Sequence, residues 1–281
     1  MINWLNWLKY FVISFKDLEL ISFCFSQSCQ ITCSSSGQGY LVLGDNLGLV
    51  SFVTRQHSIS SFTAYKIAVT HCASIKTTTT TGSSKVSLKS NFYLITIGTD
   101  NEDLIPILKI WAINESLILA AKTQSSNVEE ATETGNNSAN PLAQCIRNLK
   151  LCSHNSTISQ LSALRVHSMV TTLDVLGDSM LAIGFNDGHC LLIKGELIRD
   201  RDRNLRIKLL DVSENDSVTN VAFATNLRNK PLKSVRGTSS SENIVRQFVT
   251  LFVATRKKIY SYNLTTTGRD KDLLEEKHLL G

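Results

Sequence analysis

The sequence predicts an all-β fold, namely an incomplete WD40-like β-propeller of about four to five blades with long polar loop insertions. One phrase recurs along the chain: an apolar strand that ends in a small residue, a polar turn, and a second apolar strand. Outside the termini, no segment keeps a helical apolar period over about ten residues, which argues against a helical repeat. Repetition of a four-stranded unit is typical of propeller blades.

The clearest copy of the phrase is a hairpin with strands at 180–185 and 190–193. The strands are joined by Asn186-Asp187-Gly188, and an Asp-Gly pair between apolar runs predicts a type I′ turn, whose two central residues have positive φ. Both strands are continuously apolar instead of alternating, so we expect them to be covered on both faces.

Three further units repeat the phrase, and a shorter apolar strand precedes each copy. The small residue that ends the long strand is Gly44, Gly98, Gly184 or Ala254. Polar segments make the spacing longer than the roughly 40 to 45 residues of a regular blade. The predicted strands are 31–33, 40–44, 49–53, 69–72, 92–98, 108–113, 170–175, 180–185, 190–193, 218–223, 248–254 and 259–262.

The chain divides into a lead-in and one partial propeller. Residues 1–30 are predicted to be an N-terminal lead-in with a first strand, and residues 31–281 to be the propeller. The first 15 residues lack a small-residue cleavage site, so we expect no export signal, and we prefer packing on the sheet to a membrane-surface helix. Ser/Thr/Asn-rich composition predicts disordered insertions at 76–91, 123–141 and 226–247.

Patterns for catalysis and metal binding are missing from the sequence. It contains no G-x-S-x-G elbow, no P-loop and no H-E-x-x-H, so we expect no enzyme. The seven cysteines include no paired C-x-x-C knuckle and are interpreted as reduced thiols, so we expect no cofactor. His71, His167 and His189 are interpreted as structural. A net charge of +5 without a long basic run argues against nucleic-acid binding.

The densest charged segment of the chain alternates in sign. Arg199, Arg201 and Arg203 are separated by Asp200 and Asp202, so the charges largely cancel. This pattern, followed by two more cations, predicts a solvated turn with weak ion pairs. The three arginines are nevertheless a candidate edge for docking a partner, because functional residues concentrate on loops.

Five phrases of the sequence carry a family resemblance. They are LVLGDNLGLVSFV (41–53), FTAYKIAVTH (62–71), PILKIWAI (106–113), LAIGFNDGHCLLIKGELIRDRDR (181–203) and VTNVAF (218–223). In order and register they resemble the N-terminal β-propeller of the vacuolar protein sorting-associated protein 11 family, across most of the chain. The three polar insertions are longer than the family's pattern.

The resemblance implies a non-catalytic scaffold of the endosomal and lysosomal tethering complexes HOPS and CORVET. The implied roles are vesicle docking, membrane fusion and protein transport to the lysosome or vacuole. The implied partners are other class C vacuolar protein sorting subunits and, through the assembled complex, Rab-type GTPases and SNAREs. The implied location is cytoplasmic, peripheral on the cytosolic face of late endosomes, lysosomes or vacuoles.

One alternative stays open at this point: an unrelated propeller adaptor that binds phosphoinositide or ubiquitin, based on the basic patches 199–208 and 256–258. The family's propeller has further blades and continues into an α-solenoid and a C-terminal RING-type zinc finger. Because the sequence lacks the RING cysteines, we expect a fragment without a zinc site. Uncovered blade edges predict aggregation or frayed terminal blades for the isolated domain.

Overall fold

The computed structural model describes residues 29–37, 39–56, 58–79, 89–102, 104–120, 141–151, 168–199, 205–213, 216–228, 246–264 and 277–280. These residues form sixteen strands and one short helix, α1 (Glu115–Ala120). The strands make four antiparallel sheets of four strands each, and the strand order within every sheet follows the chain. Each sheet is one blade, which confirms the predicted all-β propeller class.

The blades follow one another along the chain without interleaving. Blade 1 consists of β1 (Ile31–Gly37), β2 (Tyr40–Asp45), β3 (Leu49–Thr54) and β4 (Ile59–Thr63). Blade 2 consists of β5 (Ala68–Thr79), β6 (Lys89–Thr99), β7 (Ile107–Ile113) and β8 (Ala143–Lys150). Blade 3 consists of β9 (Val170–Leu176), β10 (Met180–Phe185), β11 (His189–Lys194) and β12 (Arg206–Asp211). Blade 4 consists of β13 (Val218–Arg228), β14 (Arg246–Thr255), β15 (Ile259–Leu264) and β16 (Lys277–Leu280).

The first strands of the blades lie next to one another and define the centre of the arrangement. β1 packs beside β5, β5 beside β9, and β9 beside β13. Side chains join these strands: the Thr32 hydroxyl donates to the Val69 carbonyl, and the Phe223 amide donates to Asp174 Oδ2 at 2.7 Å. The four sheets therefore stand side by side around a common centre, as propeller blades do.

Apolar cores fill the spaces between neighbouring blades. Successive side chains along a strand point to opposite faces of the sheet. In β10, Leu181 and Ile183 enter the core shared with blade 2, whereas Met180 and Ala182 enter the core shared with blade 4. All six residues of β10 are buried. A strand between two cores must be apolar on both faces, which confirms the predicted two-sided burial.

Blade 2 divides its side chains in the same way. In β6, Phe92 and Leu94 face blade 1, while Ile95 and Ile97 face blade 3. Phe92 meets Phe52 of blade 1 edge to face, with ring centroids 5.9 Å apart. Full burial of one such side chain contributes roughly 1.5 to 3 kcal/mol. Each sheet is thus stabilised by packing against its neighbours.

The outermost strand of each blade, β4, β8, β12 or β16, is missing from the sequence-based prediction, as is α1. The first three of these strands contain exposed or half-exposed positions, as in β4 with its sequence ISSFT. An outer strand pairs on one side only and needs no continuous apolar run. Periodicity therefore detects the three inner strands of a blade and overlooks the fourth.

The hairpin turn of blade 3 is not the predicted type I′ turn. Gly188 has a φ of 90°, but Asp187 does not have a positive φ. The Gly188 amide donates to the Phe185 carbonyl at 3.4 Å, which places Asn186 and Asp187 at the centre of a turn that ends in a left-handed glycine. The Asp187 carboxylate accepts from the His189 amide at 3.2 Å and favours this three-residue hairpin.

Strands run further than predicted into the insertion at 76–91. β5 continues to Thr79, and β6 begins at Lys89. The two strands pair in register up to that end, so polar residues there satisfy their backbone groups in a ladder. Polar composition alone does not distinguish such a ladder from a loop.

Strands also occupy both ends of the predicted insertion at 226–247, because β13 reaches Arg228 and β14 begins at Arg246. Residues 1–28, which hold most of the predicted lead-in and its first strand, lie outside the described residues. The insertion at 123–141 also lies outside them, apart from Pro141.

Candidate docking surface

Because neighbouring strands are antiparallel, each blade has two edges that carry its connections. The turn rim carries the connections between second and third strands, at 46–48, 100–106, 186–188 and 256–258. The loop rim carries the connections between third and fourth strands, such as 195–205 in blade 3. Exposed side chains on both rims are available to a partner.

The predicted docking residue Arg199 lies on the loop rim of blade 3. Its side chain is 75% exposed, and its Nη1 lies 3.1 Å from Glu196 Oε1. A surface ion pair of this kind is worth about 0 to 1 kcal/mol, so a partner carboxylate can compete for the guanidinium. Arg201 and Arg203 lie outside the described residues, and their role stays a prediction.

A buried arginine of the neighbouring blade holds the backbone of this loop. Arg147, on β8 of blade 2, is 9% exposed. Its Nε donates to the Leu197 carbonyl at 3.2 Å, and its Nη2 donates to the Arg199 carbonyl. Leu197 itself is buried in the core between blades 2 and 3. Residues 195–199 are therefore presented by a fixed backbone, which lowers the entropic cost of binding.

Sequence reasoning missed Arg147, and its surroundings explain why. It sits in the strand sequence AQCIRNLK, where exposed and buried positions are mixed. For a single arginine in such a strand, the sequence predicts an exposed side chain. Only the approach of the blade 3 loop shows that its guanidinium is an anchor.

Two cations assigned to the charged turn lie on a strand instead. Arg206 and Lys208 belong to β12, which corrects the expectation of a solvated turn at that point. Arg206 stands opposite Lys194 of β11 in the register, and opposed residues share a face of the sheet. Burial, followed by the charge of Arg206, lowers the pKa of Lys194. Two cationic side chains thus share one face of the sheet next to the loop at 195–199.

The turn rims of blades 1 and 3 share one design. The carbonyl of Gly48 (φ 82°) accepts amide hydrogen bonds from both residues of the segment 64–65, at 2.9 and 3.1 Å. The carbonyl of Gly188 (φ 90°) accepts two in the same way from 212–213, at 3.2 and 3.3 Å. At either glycine a Cβ atom would come within 3.0 Å of the carbonyl oxygen of that segment. Backbone packs directly on backbone at both turns.

Blade 4 has a basic turn at the equivalent place. Arg256, Lys257 and Lys258 are all exposed. The Thr255 hydroxyl accepts from the Lys258 amide at 3.1 Å, and Asp216 Oδ2 accepts from the Lys257 amide at 3.3 Å. A hydrogen bond from the Thr255 hydroxyl is the main cause that lowers the pKa of Asp216. Three cationic side chains thus project from an ordered turn.

A buried polar network lies beneath the turn rim of blade 2. Lys109 Nζ, on β7, donates to Asp100 Oδ2 at 2.7 Å and to the Ala64 carbonyl at 2.8 Å. It also lies 4.2 Å from the centroid of the Tyr65 ring, close enough for a cation–π interaction. The Tyr65 hydroxyl lies 2.9 Å from the Thr96 carbonyl, and burial raises its pKa. These buried polar groups are hydrogen-bonded to one another, so they are not available to a partner. Exposed side chains on the rim above them are.

Two of the three histidines noted in the sequence are described. His71 lies on β5, and burial lowers its pKa. His189 begins β11, with its Nδ1 3.1 Å from Asp187 Oδ1. His167 lies outside the described residues. Within the described part of the chain, no group of three or more His, Cys, Asp or Glu side chains is arranged to hold a metal ion.

As for membranes, the helical part of the described chain offers no segment that is long and apolar enough to span a bilayer.

Four repeated blades with charged, backbone-anchored rims define the class of this protein as a β-propeller repeat domain. The family follows from the sequence comparison. The chain belongs to the PEP5/VPS11 N-terminal family, whose model matches residues 12–278. This confirms the resemblance carried by the five phrases of the sequence.

Individual relatives agree with the family match. The vacuolar protein sorting-associated protein 11 homolog of Dictyostelium discoideum is 24% identical over 275 residues, which are 98% of this chain and 22% of that protein. The Homo sapiens homolog is 30% identical over 177 residues, or 63% of this chain and 14% of that protein. The chain thus spans 22% or less of the length of these curated relatives. The crystal structure of Saccharomyces cerevisiae Sqt1 matches with a TM-score of 0.43 at 10% identity, covering 85% of this chain and 46% of that one.

Proposed function

We propose that this chain is a non-catalytic scaffold domain of a vacuolar protein sorting complex and that it docks other proteins on its rims. The observation that carries the proposal is the family match over residues 12–278. The relatives are named for vacuolar protein sorting. A propeller suits this role because a rigid array of blades presents many loops, each able to contact a partner.

In its finer form, the proposal places the chain in the HOPS or CORVET complex, in vesicle docking, membrane fusion and transport to the lysosome or vacuole. The direct partners are other class C sorting subunits, and Rab-type GTPases and SNAREs are engaged through the assembled complex. The protein acts peripherally on the cytosolic face of late endosomes, lysosomes or vacuoles. Several weak contacts suffice for tethering, because each further contact is intramolecular once the first has formed.

Within this proposal, the loop at 195–199 is the docking edge of blade 3. Arg147 fixes its backbone, and Arg199 offers an exposed guanidinium that Glu196 engages through a weak surface pair. A guanidinium can bind a partner carboxylate through two parallel hydrogen bonds. The expected partner surface is therefore acidic.

The test is affinity purification of the full-length protein from cells, with and without Arg199→Glu. We expect the unmodified protein to recover other sorting subunits and the variant to recover at least one of them several-fold less. Lys66→Glu is the matched control, because Lys66 is also an exposed cation but lies between β4 and β5, outside the loop at 195–199. Recovery of no sorting subunit by the unmodified protein would overturn the scaffold role. If Arg199→Glu and Lys66→Glu recover the sorting subunits equally well, the docking edge is excluded and the scaffold role is not.

A second function has one specific observation in its favour: the basic turn of blade 4. Arg256, Lys257 and Lys258 project together from an ordered turn. Each cation near an anionic bilayer contributes about 1 kcal/mol, so three contribute about 3 kcal/mol, or roughly a 100-fold gain in binding. That is too weak for binding alone and sufficient to assist a multivalent tether.

Liposome flotation of the full-length protein tests this second function. Vesicles with phosphoinositide should retain more protein than neutral vesicles, and the triple change of Arg256, Lys257 and Lys258 to Gln should remove the difference. Retention that is independent of vesicle charge, or unaffected by the triple change, would exclude it.

A further inference from the structure

Two cysteines on the adjacent first strands of blades 1 and 2 pack against one apolar core near the centre of the propeller. Cys33 lies on β1 of blade 1, and Cys72 lies on β5 of blade 2. Both are half-buried free thiols, and both pack against the apolar core between blades 1 and 2. The docking surfaces on the rims make no use of this pair, so its chemistry is independent of the proposed function.

Hydrogen bonds on both sides of the pair fix the two strands. On one side, the Thr32 hydroxyl donates to the Val69 carbonyl. On the other side, the Ser74 amide donates to Ser35 Oγ at 3.2 Å. Because the thiols lie between these contacts along both strands, they stay opposed wherever blades 1 and 2 are packed together.

The two thiols differ in acidity. Hydrogen bonding with Cys72 lowers the pKa of Cys33, and the same interaction, followed by burial, raises the pKa of Cys72. The other described cysteines are less acidic than an ordinary thiol: burial raises the pKa of Cys29 to about 11 and that of Cys190 to about 12, and it also raises the pKa of Cys145. Since the thiolate is the reactive form, Cys33 is the nucleophile among them.

We propose that Cys33 and Cys72 form a reversible disulfide that links blade 1 to blade 2 when the protein meets hydrogen peroxide. The Cys33 thiolate attacks one peroxide oxygen, the O–O bond breaks, and hydroxide leaves, so that Cys33 becomes a sulfenic acid. The Cys72 sulfur then attacks the sulfenic sulfur. The S–O bond breaks, and the departing hydroxide takes the Cys72 proton. Overall, the two thiols lose two electrons and two protons, and the peroxide is reduced to two waters.

The disulfide has a structural consequence at the seam between the blades. It closes a loop from Cys33 to Cys72, which contains nearly all of blade 1, and so restricts the unfolded chain. Thermal unfolding of the blade 1 region should shift upward by roughly 5 to 10 °C on oxidation. Cellular thiol reductants reverse the link, so oxidation acts as a reversible lock between two blades.

The test uses the full-length protein, purified with its partners under reducing conditions and then exposed to hydrogen peroxide. Free thiols are alkylated, and the protein is digested and mapped by mass spectrometry without reduction. We expect a peptide pair joined through Cys33 and Cys72 that dithiothreitol separates. Because this measurement needs no variant, it does not depend on whether a cysteine variant folds.

Variants give the second arm of the test. The linked pair and the thermal shift should disappear in Cys72→Ser and persist in Cys145→Ser, whose thiol donates instead to the Arg147 carbonyl. Full alkylation of both thiols after peroxide treatment would overturn the proposal. So would a product in which Cys33 is linked to another cysteine or is oxidised beyond the sulfenic acid while Cys72 stays free.

Discussion

The second-to-third-strand turns of blades 3 and 4 occupy the same place in the repeat and are stabilised by different means. In blade 3, the carbonyl of a left-handed Gly188 accepts two amide hydrogen bonds from the segment 212–213. In blade 4, the side chains of Thr255 and Asp216 hold the turn. A turn held by backbone tolerates only glycine at its critical position. A turn held by flanking side chains leaves its own side chains available to carry charge.

The largest effect is expected at Gly188. A Cβ there would come within 3.0 Å of the Ser213 carbonyl oxygen, and valine disfavours a φ of 90°. Gly188→Val should lower the free energy of unfolding by about 3 kcal/mol or more, measured by chemical denaturation. The control is Gly177→Ala, since Gly177 has a φ of 57° with nothing within 4 Å of its Cβ position, and about 1 kcal/mol is expected. Equal losses would show that backbone packing adds nothing.

A smaller loss is expected when the side-chain support of the blade 4 turn is removed. Thr255→Val deletes the hydroxyl that accepts from the Lys258 amide and lowers the pKa of Asp216. The expected cost is about 1 to 2 kcal/mol, because the orphaned groups lie at a partly hydrated turn. Thr250→Val is the control, since the Thr250 hydroxyl makes one long contact within the described part of the chain, 3.4 Å to Asn263 Oδ1. No difference between the two variants would contradict side-chain support.

The carboxylate of blade 3 predicts a pH dependence. Burial raises the pKa of Asp187, but hydrogen bonds from Ser168 and His189 outweigh it and hold the pKa below its usual 3.8. The folded pKa lies below the unfolded one, so the stabilisation is complete above the unfolded pKa and is lost as pH falls through the folded pKa. Asp187→Asn should therefore lower Tm at pH 7 and make Tm less sensitive to acid below about pH 4. A variant with an unchanged acid profile would refute the assignment.

The smallest effect on stability is expected from a charge change at the tip of the blade 4 turn. Lys257→Gln alters an exposed side chain whose backbone amide, not its ammonium group, makes the structural hydrogen bond. The free energy of unfolding should change by about 0.5 kcal/mol or less. A larger loss in thermal denaturation would mean that the ammonium group is structural, which would also weaken the case for the turn as a docking site.

The sequence predicts the buried inner strands of a blade better than its half-exposed outer strand. β10 and β11 were predictable because each stands between two cores and must be apolar on both faces. β12 was not, because its alternation of Arg206, Ile207 and Lys208 is that of a half-exposed outer strand beside a charged loop. For the candidate docking edge, the sequence predicted exposed charged side chains but not how their backbone is held. Its anchor, Arg147, lies more than 50 residues before the predicted edge, and nothing local marks it.

By itself the sequence determined the repeat, the family and the positions of the blade hairpins, since these depend on local order: apolar runs, small residues and turn residues at short spacing. Tertiary structure decided everything that depends on neighbouring blades. It brought Arg147 beneath the loop at 195–199, set Gly188 against the segment 212–213, and brought Cys33 and Cys72 to one core between blades. The physical reason is that blades pack through side chains separated by a whole repeat, a distance over which no local pattern in the chain encodes contact.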